Sequence, residues 1–88
     1  MDLIPQKGAV DCHYNWSGWS WLITHLQEWG VDTNHFDGVN DGKLIPAAKC
    51  CEVAAAIEAH LPELDAEDRE WLEPHVAIWR ASGGFRQC

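Results

Sequence analysis

WSGWSWLITHLQEWG, residues 16–30, is the stretch on which the fold turns. Trp19, Leu22, Ile23, Leu26 and Trp29 recur at intervals of three and four, the period at which side chains share one side of an α-helix. Asn15 or Ser17 is placed to accept from the free amides of a first turn, and Gly30 supplies the left-handed residue that ends a helix. A helix over about residues 16–29 follows.

Working downstream, Phe36, then residues 37–42, then Lys43, Leu44 and Ile45 form two short extended pieces around Asn40-Asp41-Gly42. Glycine there accepts the positive φ of a tight loop, so a β-hairpin is expected around residues 36–45. Pro46 is suited to be the first residue of a second helix, because the N–H it lacks is not needed there. That helix spans about residues 46–60, with Cys50, Val53, Ala54, Ile57 and Leu61 as its buried stripe and Pro62 as its stop. A third opens at Asp65 and runs to about residue 82, with Trp71, Leu72, His75, Ile78 and Trp79 facing inward. Pro74 lies inside it, which predicts a kink or break. Upstream, residues 1–14 form an irregular arm punctuated by Pro5 and Gly8. The expected fold is therefore a single mainly α domain over residues 1–88, with three helices and a hairpin. The alternative is α+β, if the tail Phe85-Arg86-Gln87-Cys88 adds a strand to that hairpin.

Charge narrows the function classes. Fourteen acids stand against six bases, a formal net charge of −8. Six of the acids fall between residues 63 and 73 (Glu63, Asp65, Glu67, Asp68, Glu70 and Glu73), with only Arg69 among them. Direct nucleic-acid binding needs a basic footprint, which Arg80 and Arg86 alone do not make. Met1-Asp2-Leu3-Ile4-Pro5 lacks the basic and long apolar regions of a secretory leader, and no apolar run is of membrane-spanning length. A cytoplasmic address is expected, with Cys12, Cys50, Cys51 and Cys88 as thiols.

Motifs of familiar form fall short of their chemistry. Trp16-Ser17-Gly18-Trp19-Ser20 matches the WSxWS signature of cytokine-receptor and thrombospondin-type modules, but those place it in β-structured secreted domains and here it heads a helix. Cys12-His13 and the adjacent Cys50-Cys51 lack the Cys-x₂-Cys spacing that lets two thiolates converge on zinc. The segment from residue 37 to 42 begins like a calcium loop, yet its third position is Val39 and its twelfth is Ala48, so bidentate closure is missing. No nucleophile elbow, phosphate loop or His-Glu-x-x-His is present. The expectation is no cofactor, no metal and no catalytic residue.

The end of the chain, Trp79-Arg80-Ala81-Ser82-Gly83-Gly84-Phe85-Arg86-Gln87-Cys88, resembles the closing Arg-x-Ser-Gly-Gly-Phe pattern of a group of small bacterial proteins. The tryptophan-led helix ending at Gly30 and the Asn40-Asp41-Gly42 turn before an alanine-rich helix are similar to that group as well. The resemblance implies bacterial origin, in the style of mobile gene cassette products, and this architecture; it implies no activity.

Six tryptophans are more than one small core readily absorbs, since each can bury roughly 150–250 Å². The reading is an interaction module, a homodimer or a protein partner's contact, using exposed tryptophan or the acidic face of residues 63–73. The candidate surface is Trp16, Trp19, Trp21, His25, Glu67, Asp68 and Glu70. Alternatives are a small-molecule binder with an aromatic pocket near Trp21 and His25, and an enzyme of unrecognised type.

Overall fold

The computed structural model describes residues 1–8, 11–36 and 43–88. Its elements are β1 (Asp2–Pro5), β2 (Cys12–His13), α1 (Trp16–Glu28), β3 (Leu44–Pro46), α2 (Ala47–His60), a 3₁₀ turn (Leu61–Glu63), α3 (Ala66–Ala81) and β4 (Gly84–Gln87).

The helices form where the periodicity places them. Asn15 caps α1, its Oδ1 accepting from the Gly18 N–H at 2.7 Å, and Gly30 leaves with φ +85°. Asp65 caps α3 in the same way, accepting from the Asp68 N–H at 2.9 Å. Pro46 precedes α2 as its extended cap residue, φ −62° and ψ 155°, and is not its first helical residue. Its carbonyl-side geometry lets it end β3 as well, so one residue serves both elements.

Two expectations about the strands change. Residues 1–14 are not an irregular arm: they contain β1 and β2. The tail is the strand of the α+β alternative, and it lies second from one edge of a four-stranded antiparallel sheet ordered β2-β1-β4-β3. Leu3 pairs with Gln87, Ile4 with Arg86 and Pro5 with Phe85 on one side, while Leu44 pairs with Arg86 and Ile45 with Phe85 on the other. Leu3, Ile45 and Phe85 point into the core and Ile4, Leu44 and Arg86 stay at the surface, as the two-residue period requires. The hairpin turn expected at residues 37–42 lies outside the described residues. Buried Gln87 ties the two sides of that segment to the sheet, its amide donating to the carbonyls of His35 (2.8 Å) and Lys43 (3.1 Å).

Gly84 is what lets α3 turn back into the sheet. It holds φ +111°, and a Cβ there would stand 3.0 Å from the Ile45 carbonyl oxygen, so both torsion and space require glycine.

α3 runs as one helix through Pro74. Proline removes the hydrogen bond to the Glu70 carbonyl, but both residues are exposed, so water takes the place of the lost donor. The buried stripe of α3 is Leu72, Val76 and Trp79. The expected inward face had Trp71 and lacked Val76; Trp71 is 39% exposed, because a stripe centred on Leu72 turns its neighbour about 100° toward solvent. On α2 the stripe is Cys50, Val53, Ala54 and Ile57, with Leu61 partly covered. On α1, Trp19, Leu22 and Leu26 are buried. Trp19 and Trp79 are the largest side chains of the core, at 1% and 0% exposure. The three helices supply this core to one face of the sheet, a small α+β fold that is helical through most of its length.

Candidate functional site

The N-terminal ends of α1 and α3 meet around a groove of about 510 Å³, lined by Asn15, Ser17, Gly18, Trp21, Glu67, Asp68 and Trp71. Chain order alone puts these residues fifty positions apart. The contact of Trp21 from α1 with Trp71 from α3 joins the two capped ends.

Aromatic rings build one wall. Trp21 and Trp71 stand nearly at right angles, centroids 5.6 Å apart with 79° between planes. Behind Trp21, His25 stacks at 3.8 Å and 23°. The His25 Nδ1 donates to the Trp21 carbonyl at 2.8 Å, which fixes the imidazole one turn along α1 from the ring it supports. The ladder continues: His25 meets Trp29 edge-on at 5.7 Å, and Trp29 lies flat on His60 from α2 at 4.6 Å and 10°. Trp71 is backed in turn by Tyr14 (5.9 Å, 89°) and His75 (5.3 Å, 67°). Both rings of the groove are therefore held before any ligand arrives.

Gly18 keeps the wall open. A Cβ there would stand 3.2 Å from the capping Asn15 Oδ1 and 3.5 and 3.7 Å from the benzo carbons of Trp71, so a longer side chain would press on the cap and cover that ring.

Carboxylates form the other side. Glu67 and Asp68 begin the first turn of α3, and neither has an ion-pair partner among the described residues. The one base within the acidic run, Arg69, is spent on backbone: its Nε donates to the Leu61 carbonyl at 3.1 Å and its Nη2 to the Leu64 carbonyl at 2.9 Å. Arg80 reaches Glu58 and Lys49 reaches Glu52, both on α2. The charge of the groove is left standing.

Of the candidate surface residues, Trp21, Glu67 and Asp68 line one groove, and His25 supports it from behind. Trp16 is 52% exposed at the start of α1 but outside the lining, and Glu70 is exposed outside it too. Trp19 is corrected: it is wholly core, against Tyr14 and Phe36, and offers no contact surface. Asn15, Ser17, Gly18 and Trp71 are site residues that the candidate surface did not include. A signal for Trp71 existed, since it lies four residues after Glu67 and three after Asp68 on one helix.

Beneath the groove runs a buried polar chain. The Trp79 indole N–H donates to the Tyr14 hydroxyl at 3.0 Å, and Tyr14 meets His75 Nδ1 at 2.7 Å. The hydroxyl accepts from Trp79 and gives its own proton to Nδ1, which suits a neutral imidazole. Burial lowers the His75 pKa, in the same sense. Burial also raises Tyr14 well above its ordinary value, with the neighbouring Cys12 adding to the rise. Cys12 and Cys50 are themselves pushed up by burial, so both are thiols of low reactivity. Cys51 is exposed, pointing away from Cys50. Among the described residues no three His, Cys, Asp or Glu side chains converge as metal ligands, and no helix is long and apolar enough to cross a membrane.

Comparison with known proteins returned no matching family, curated protein or solved structure.

Proposed function

We propose that the chain is a non-enzymatic interaction module, acting in the cytoplasm, whose groove between α1 and α3 takes a basic segment of a protein partner. One observation carries the reading: an exposed indole, Trp71, a half-buried one, Trp21, and two unpaired carboxylates share a single concave surface. Apolar rings supply contact area, and carboxylates supply sign and steering. With a net charge of −8 the whole molecule reinforces that sign, so a cationic partner is drawn in and nucleic acid is repelled. A second reading is a small cationic ligand in the same groove, favoured by a volume within the range of ligand pockets. The groove's openness favours the macromolecule.

Tryptophan emission during titration with a basic nonapeptide tests the proposal. Wild type is expected to bind with an affinity that falls as salt rises. The Glu67→Gln/Asp68→Asn double variant is expected to bind about tenfold more weakly at low salt. Equal affinity for the two proteins, or no binding by wild type at low salt, overturns it.

A further inference from the structure

We infer that the groove selects arginine, the guanidinium lying against an indole while its N–H edge reaches Glu67 or Asp68. This rests on the reading of the groove as a site for a basic partner and names the side chain it takes.

The groove combines two kinds of wall, and the cation must use both. Trp21 and Trp71 meet at 79° and form a corner, which leaves the remaining sides to the carboxylates. A trimethylammonium group is best held where aromatic rings surround it, and it has no N–H to offer an acid. A lysine ammonium satisfies an acid as a compact, strongly hydrated charge, and gains little from a flat ring. Guanidinium alone is planar, weakly hydrated and carries five donors along its edge, so it stacks on a ring and meets a carboxylate side-on together.

Electrostatics at the helix ends do not reverse the preference. Two helix N-termini face the groove, each worth roughly half a positive charge. Asp65, Glu67 and Asp68 bring three negative charges to the same place, and both first turns already have their capping acceptors. The balance remains negative.

Pre-organisation adds to selectivity. The stack of His25 on Trp21, and the contacts of Tyr14 and His75 on Trp71, hold the two rings in the corner before binding, so little ordering is left for the guanidinium to bring about. Gly18 leaves the Trp71 benzo edge uncovered beside that corner.

The test uses three nonapeptides of equal charge carrying arginine, lysine or trimethyl-lysine, titrated into the full chain at physiological salt and followed by calorimetry. Arginine is expected to bind about fivefold or more tightly than lysine. Trp71→Leu is expected to weaken both peptides and to erase that preference, because arginine loses the ring it stacks on as well as contact area. Trp71→Met does the same with an unbranched apolar side chain, and stands in if Trp71→Leu fails to fold by circular dichroism. Equal binding of arginine and lysine peptides, or tighter binding of trimethyl-lysine, overturns the inference and leaves the basic-partner reading intact. Binding of none of the three, at physiological and at low salt alike, overturns both.

Discussion

The Tyr14 hydroxyl accepts from the buried Trp79 ring and donates to the half-buried His75, so removing it strands a donor. Tyr14→Phe leaves the Trp79 indole N–H without its partner in a site closed to water. Loss of about 1–3 kcal/mol is expected, read from urea denaturation. His75 gives the same network a pH signature. Its folded pKa is lowered by burial, so below the ordinary histidine value of about 6.5 the unfolded chain binds a proton that the folded chain refuses. The stabilising contribution is present above that value and is lost as pH falls through the interval beneath it. Urea midpoints measured from about pH 8 to about pH 5 should fall more steeply for wild type than for His75→Gln, and parallel curves would remove His75 from the account. This pairing was not legible in the sequence: Tyr14 and His75 are 61 positions apart and belong to no local pattern.

At the scale of elements, α3 shows what periodicity delivers and where it stops. Its start was legible, because a cap is a local device: Asp65 serves the amide three residues on. Asp65→Ala should cost about 1 kcal/mol, and Asp65→Asn little, as judged by thermal unfolding. Its inward face was half legible. Trp71 and Leu72 are adjacent and both apolar, and only Val76 and Trp79, set four and seven residues after Leu72, fix which one is buried. Of the kink or break expected at Pro74, the break does not occur, because the proline sits on the solvent side, where the orphaned carbonyl is open to water. Pro74→Ala restores that hydrogen bond and should raise stability by about 1–3 kcal/mol. β1 and β2 escaped notice for a different reason, and β4 was expected only as the tail strand of the α+β alternative. β1, β2 and β4 are two to four residues long, too short for an alternating pattern, and β4 is defined by pairing with β1 from the opposite end of the chain. The start of the chain therefore had the composition of an arm, yet it supplies the edge strand β2 and its inner neighbour β1.

For the whole molecule, the signals behind the site were an excess of tryptophan and a run of acids, and both were visible in composition. Their meeting was not. It depends on α1 and α3 presenting their capped ends to one groove, which places Trp21 beside Trp71 and brings Glu67 and Asp68 opposite Gly18. The six tryptophans divide accordingly: Trp19 and Trp79 build the core, Trp21 and Trp71 line the groove, Trp29 supports its ladder and Trp16 stands outside. That division gives the central claim a direct readout, because each indole N–H has its own resonance in a proton–nitrogen correlation spectrum. On titration with an arginine-rich nonapeptide, the Trp21 and Trp71 resonances should shift progressively while those of Trp19 and Trp79 hold still. Shifts confined to Trp16, or no shift in Trp21 and Trp71 at saturating peptide, would contradict the account.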